Sequence, residues 1–181
     1  MLFADVIGHD DLKKRLIQSV QESRVSHAQQ FLGPEGSGKM PLALAYAQYI
    51  NCTNRSESDS CGVCPSCKKF MSLTHPDLHF VFPTATNKEV KQNPESDLFI
   101  TEWREYLADC QGYTDLSDWF NKLDIENKQG IINVRDAATL MRKLSFKAYE
   151  AEYKIAIIWC HQDHSTLNHK ILLLLESPSF Y

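Results

Sequence analysis

Ala28-Gln29-Gln30-Phe31-Leu32-Gly33-Pro34-Glu35-Gly36-Ser37-Gly38-Lys39-Met40 is the stretch on which the fold turns. Its first five residues have the length and apolar weight of a short buried strand, and Leu42-Ala43-Leu44-Ala45-Tyr46 beyond it reads as a helix. Pro41 is tolerated there, because the first helical turn has no use for the N–H that proline lacks. Between strand and helix, Gly33-x4-Gly38-Lys39 has the spacing of a loop that cradles phosphate. Glycines let successive backbone N–H groups turn inward, the helix start adds its dipole, and the lysine neutralises charge. The candidate ligand-contacting residues are therefore Gly33, Pro34, Glu35, Gly36, Ser37, Gly38, Lys39 and Met40.

Met40 is the odd member. A hydroxyl is needed at this position to hold Mg²⁺, and a thioether is a poor ligand for a hard cation. Mg²⁺ is thus not expected, and ATP binding stays open: phosphate can be held while metal-assisted hydrolysis is impaired, or the turn is retained and binds nothing. A second part of the machinery is also missing. Lys154-Ile155-Ala156-Ile157-Ile158-Trp159 is the strongest strand of the chain, β-branched and bounded by polar residues. It ends in Cys160-His161-Gln162, with no carboxylate before Asp163, where acids that hold Mg²⁺ and orient water would be needed. No catalytic residue is assigned.

The remaining elements alternate. A helix is expected over 9–22, with Leu12, Leu16, Ile17 and Val20 on its inner face, a second strand over Leu78–Phe82, helices over Leu98–Leu107 and Arg135–Leu144, the latter facing Ala138, Met141 and Leu144 inward, and a last helix over Asn168–Glu176 closed by Pro178. Strands alternating with helices predict an α/β fold of the P-loop type: a parallel sheet with helices on both faces. A helical insert over about 84–128 is rich in aromatics, among them Trp103, Tyr106, Tyr113, Trp119 and Phe120, and reads as packing rather than base stacking.

Four of the six cysteines, Cys52, Cys61, Cys64 and Cys67, form C-x8-C-x2-C-x2-C within a small module at about 50–70. Four thiolates complete a tetrahedral Zn²⁺ shell, with Gly62 and Pro65 suited to the tight turns, and a closed shell makes the ion structural. His161, His164 and His169 near Cys160 read as solvated rather than as a second metal site. Composition is ordinary, with 43% hydrophobic and 23% charged residues, and a net charge of −4 argues against coating nucleic acid by bulk charge. No basic leader and no run of roughly 18 apolar residues is present, so no membrane association is expected and the cytoplasm is the default compartment.

Several stretches carry a family resemblance. Phe3-x-Asp5-Val6-Ile7-Gly8-His9 resembles the opening box of clamp-loader AAA+ subunits, where glutamine often stands in place of His9. Ser26-His27-Ala28 leading to Phe31-Leu32-Gly33-Pro34 is similar to their first strand and phosphate loop, and the cysteine insertion resembles that of gamma/tau and delta-prime subunits. His75-Pro76-Asp77, Ile132-Asn133-Val134 with Arg135 and Leu140, Tyr149 to Trp159, and His169 to Ser179 are similar to delta-prime stretches of the bacterial DNA polymerase III clamp loader. The last departs at His169, Leu173, Ser177 and Ser179, and Leu173 is expected to be exposed or to stick to a partner. The resemblance implies the front part of an AAA+ domain, incomplete at its C-terminal end, in a non-catalytic subunit. Its implied partners are the gamma/tau and delta subunits and, through the complex, the sliding clamp and primed DNA. An ATP-hydrolysing subunit of gamma/tau type and a zinc-dependent nucleic-acid-binding module are the alternatives, the acidic charge standing against the second.

Overall fold

The computed structural model describes residues 1–125, 127–160 and 169–176, with the backbone alone at Cys160, His169 and Lys170. His161, Gln162, Asp163, His164 and Pro178, to which sequence readings were attached, lie outside the described residues. Helices α1 (Asp10–Gln21), α2 (Lys39–Ile50), α3 (Pro65–Met71), α4 (Ile100–Asp109), α5 (Leu116–Lys122) and α6 (Val134–Ser145) accompany strands β1 (Ala28–Gly33), β2 (Leu78–Val81), β3 (Lys154–Cys160) and β4 (His169–Glu176). No helix among the described residues is long and apolar enough to cross a membrane.

The sheet order is β1-β4-β3-β2. β2 and β3 are parallel, whereas β4 runs antiparallel to both β1 and β3. The three strands expected from strand–helix alternation therefore do share one direction. The expected parallel sheet is corrected to a mixed one, because β4 enters it reversed.

β4 also replaces the helix expected over 168–176. Ile171-Leu172-Leu173-Leu174-Leu175 is an unbroken apolar run, and such a run suits a strand buried on both faces as well as a helix. Between two strands it satisfies its backbone on both sides, pairing Leu173 with Gln29 on one side and with Ile157 on the other. Leu173 is accordingly 0% exposed, contrary to expectation.

Period-two alternation assigns the two faces of the sheet. Ile155, Ile157, Trp159, Ile171, Leu173 and Leu175 lie in the main core with α2, and Val81, Ala156, Ile158 and Leu174 pack with Leu140 and Leu144 of α6. The inner face of α6 is not the one expected: Met141 is 72% exposed and Ala138 is exposed, while Asp136 and Leu140 turn in. The reason is its N-terminus. Asn133 caps the helix, Asp136 accepts the Asn133 N–H in return, and its other oxygen accepts the Ser96 N–H at 2.7 Å, which fixes the rotation of the helix. The insert packs as ordinary core. Trp103 stacks on Phe82 with centroids 4.3 Å apart, Trp119 meets both edge-on, and Trp159 of β3 completes the cluster.

His75-Pro76-Asp77 has a structural role. The buried Asp77 carboxylate accepts the N–H groups of Tyr149, Glu150 and Ala151 at 2.7, 2.9 and 3.0 Å, and so holds the turn that leads into β3. Burial alone raises its pKa, but these three donors more than offset that and hold it below its ordinary value. His75 and His79 are also held below their ordinary value: burial depresses both, and at His79 the Lys143 and Lys154 charges add to it, bringing it to about 4.

A histidine depressed in the folded state binds its proton later than the unfolded chain does. Its stabilisation is complete above the ordinary value of 6.5 and is lost as pH falls from there towards about 4 at His79. The melting temperature is therefore expected to fall through this window, and to fall less steeply in His79→Gln. An equal slope in the two proteins, followed by calorimetry across the window, would contradict it.

Candidate functional site

The segment read from sequence as a phosphate loop connects β1 to α2. Gly38 stands at the helix start with φ +78°, a conformation that side chains rarely adopt. The residues around it bond to one another, and Ser37 and Lys39 also line a pocket of about 380 Å³ with His9, Leu16 and Phe31. Lys39 Nζ donates to the Pro34 carbonyl and, at 3.1 Å, to Ser37 Oγ. His9 Nε2 lies 2.5 Å from the Ser37 carbonyl oxygen. Burial lowers the Lys39 pKa, and the nearby Glu35 carboxylate partly counters this. Met40 is 1% exposed and packed in the main core.

A turn from the insert borders the recess. Gly112, Tyr113 and Thr114 line it together with Glu35 to Met40, Trp159 and Ile171, and the remaining space is about 10 Å³. That is roughly one water. Glu35 supplies the recess's one carboxylate among the described lining residues, and it belongs to the loop itself, accepting the Leu116 N–H at 3.2 Å. Six of the eight loop residues read from sequence, Glu35 to Met40, line the recess, and Gly33 and Pro34 do not. Sequence reasoning missed their occupants, Tyr113 and Gly112, because nothing local in Gln111-Gly112-Tyr113 announces a contact with a loop some seventy positions earlier.

At the opposite end of α2, Cys52, Cys61, Cys64 and Cys67 place their sulfurs within 4.8 Å of one another. Cys52 and Cys61 Sγ are 3.6 Å apart, and Cys61 and Cys67 Sγ are 3.9 Å apart. Four thiolates about 2.3 Å from a tetrahedral ion stand about 3.8 Å from each other, so the donor set fits a soft cation of zinc's size. These separations also exceed a disulfide bond of about 2 Å.

Backbone geometry prepares the sulfurs for negative charge. The N–H groups of Cys61, Cys64 and Cys67 donate to Cys52, Cys61 and Cys64 Sγ at 3.3, 3.4 and 3.4 Å. Cys64 caps α3, with Pro65 at its first position and Gly62 at φ +69° in the preceding turn. Burial raises the Cys64 thiol, but the Cys67 N–H and contacts with Thr53 overcome it and leave it at about 6. The Val63 and Cys64 N–H groups lower Cys61, whereas burial pushes Cys52 and Cys67 up. A cation in their midst would let all four ionise together.

The cluster is also tied to the body of the protein. Asp59 accepts the N–H groups of Phe3 and Ala4, each at 3.0 Å, Ser66 donates to the Asn51 carbonyl at 2.8 Å, and Lys69 pairs with Glu150 at 2.6 Å.

Comparison with known proteins agrees with this architecture. The family described as "DNA polymerase III, delta subunit" matches residues 8–181. The chain belongs to the clamp-loader subunits of DNA polymerase III. This clamp-loader chain is 28% identical over 112 residues to the tau/gamma subunit of Haemophilus influenzae, which is 59% of the chain and 16% of that relative. Over 70 residues it is 40% identical to the delta-prime subunit of Bacillus subtilis, covering 39% of the chain and 21% of the relative. It is 35% identical over 66 residues to the tau subunit of the same organism, covering 36% of the chain and 12% of the relative. The matched stretches thus span about a fifth or less of these relatives' lengths.

For the clamp-loader chain, stoichiometric metal is expected in the purified protein and is expected to be lost in Cys61→Ser/Cys64→Ser. Chelation should lower the melting temperature by about 5 °C or more. Unchanged metal content in the double variant would show that the ion, if bound, sits elsewhere.

Proposed function

We propose that this chain acts in DNA replication as a non-catalytic, delta-prime-type subunit of the clamp loader. Its phosphate loop is a structural element, and its four cysteines hold a structural Zn²⁺. Met40 carries the reading: the position that would present a hydroxyl to Mg²⁺ holds a thioether that is 1% exposed and committed to the core. Two further features support it. Lys39 is engaged by its own loop, and the described part of β3 ends at Trp159 and Cys160 without an acid beside the recess.

The partners on this reading are gamma/tau and delta subunits, with the sliding clamp and primed DNA met through the assembled complex in the cytoplasm. Arg135 and Arg142 are exposed and available for such contacts. Lys143 is already paired with Asp97 at 2.5 Å, and Arg104 donates to the Leu73 carbonyl at 2.8 Å.

An ATP-hydrolysing subunit of gamma/tau type is the second reading. It draws on the longer stretch, 112 residues, that matches the Haemophilus influenzae tau/gamma subunit. Phosphate release separates the two. The metal-loaded chain is expected to show no ATP turnover above background, and Lys39→Ala to leave that background unchanged. Met40→Thr should destabilise by about 2 kcal/mol through lost burial and still not restore turnover. Turnover that disappears in Lys39→Ala would overturn the proposal in favour of a motor subunit.

A further inference from the structure

α6 carries two apolar stripes, and its own sheet uses one of them. Leu140 and Leu144 turn inward and pack with Val81, Ala156, Ile158 and Leu174. Val134, Ala138 and Met141 have the i, i+4, i+7 spacing of a single helix face and turn outward, with Val134 85% and Met141 72% exposed. Phe146, which ends the helix, is 68% exposed. This orientation is enforced. Asp136 is buried and accepts the Ser96 N–H, so the helix cannot roll its outer stripe into the core without breaking that bond. A surface helix ordinarily places charged residues opposite its core-facing stripe. α6 places valine, alanine and methionine there.

The charge beside this outer stripe has one sign. Arg135 and Arg142 are both exposed and stand two turns apart, which puts them on one flank of the stripe, roughly 10 Å from each other along the axis. Lys147, also exposed, follows just beyond the helix. Among the described residues no carboxylate pairs with any of the three. The acids around α6 are engaged elsewhere: Asp136 is inside, Asp97 pairs with Lys143 at 2.5 Å, and Glu95 accepts from Thr139 at 3.2 Å. In a chain of net charge −4 this is a local positive edge along an apolar strip.

We propose that the outer face of α6 docks an amphipathic helix of a partner protein, one that carries acidic residues along a flank of its own apolar stripe. The partner's apolar residues cover Val134, Ala138 and Met141, and its carboxylates, two turns apart, meet Arg135 and Arg142, whose planar groups suit bidentate pairing. The pattern of the surface selects this occupant. Nucleic-acid phosphates would satisfy the arginines but leave the apolar stripe in water. A second copy presenting the same face would set arginine against arginine. The surface lies across the sheet from α2 and the loop before it, since α6 packs on one face of the sheet and α2 on the other. It therefore stands on observations separate from those behind the proposed lack of turnover.

The test is fluorescence anisotropy of a labelled helical peptide of about five turns, with leucines at i, i+3, i+4 and i+7 and glutamates two turns apart on one flank, titrated with the metal-loaded chain. Wild type is expected to bind it with a dissociation constant of about 10 µM or tighter, and to bind the same peptide with lysines for glutamates about tenfold more weakly. Arg135→Gln/Arg142→Gln and Val134→Ser/Met141→Gln are each expected to weaken binding of the glutamate peptide about tenfold. All four side chains are exposed, so both variants are expected to keep the wild-type melting curve, and the exchange of peptides needs no variant at all. Three results would overturn the proposal: no binding of the glutamate peptide at about 100 µM, equal binding of the two peptides, or binding that neither double variant weakens. A DNA duplex that binds through Arg135 and Arg142 more tightly than the peptide would assign the surface to nucleic acid instead. Sedimentation showing a dimer that Val134→Ser/Met141→Gln dissociates would assign it to a second copy, and either result overturns the partner helix. Failure here leaves the reading of Met40 untouched, because that reading is decided by phosphate release.

Discussion

Helix α2 is buried on every side, and both candidate sites are its two ends. From Met40 to Ile50 no residue of the helix reaches solvent appreciably. A helix that is apolar all round has no exposed face to give up, so neighbours must surround it. The sheet, α1, α3 and the N-terminal segment do so. Its single polar residue in the middle of this shell, Gln48, is satisfied by donating to Ser60 and accepting from the N-terminal amine. Given that constraint, the residue after Lys39 has to serve the core as well as the loop. A threonine there would offer a hydroxyl; the methionine offers volume. Core packing has taken the position that metal chemistry would need.

The same constraint ties the cysteine module to the fold. α2 is capped at its C-terminus by Asn51, whose side chain both donates to the Tyr153 carbonyl and accepts the Tyr153 N–H, at 2.8 and 3.0 Å, and Cys52 follows immediately. A metal held there would brace the junction between the helix, the N-terminal segment and the entry to β3. Because α3 reaches Glu150 through Lys69, and Asp77 holds the same turn, the module and the His75-Pro76-Asp77 segment fasten one loop from two sides. Four thiolates around one ion would fill its coordination shell and leave no open position.

What could be read in the sequence was what is encoded locally. The glycine spacing around Lys39, the cysteine spacing from Cys52 to Cys67, and the β-branched run Ile155–Ile158 each depend on near neighbours, and each lies where its pattern placed it. β4 was not legible, since five consecutive apolar residues satisfy helix and strand alike and only the gap between β1 and β3 decides. The exposed face of α6 was misread because its rotation is set by a buried acid, Asp136, bonded to Ser96 forty positions away. The occupant of the phosphate loop was invisible for the same reason: Tyr113 meets Gly38 only through the aromatic packing that docks the insert against β2 and β3. Long-range contacts chose among local options that the sequence leaves open.

The central claim is that the N-terminal end of α2 is packed against its own chain and not poised for a ligand. Hydrogen exchange of the metal-loaded protein reads this directly. The amides of 36–40 and of 112–116 are expected to be protected together and to open together, with no change on adding ADP. Rapid exchange at 36–40 while 112–116 stays protected, or slowing at 36–40 when ADP is added, would contradict it.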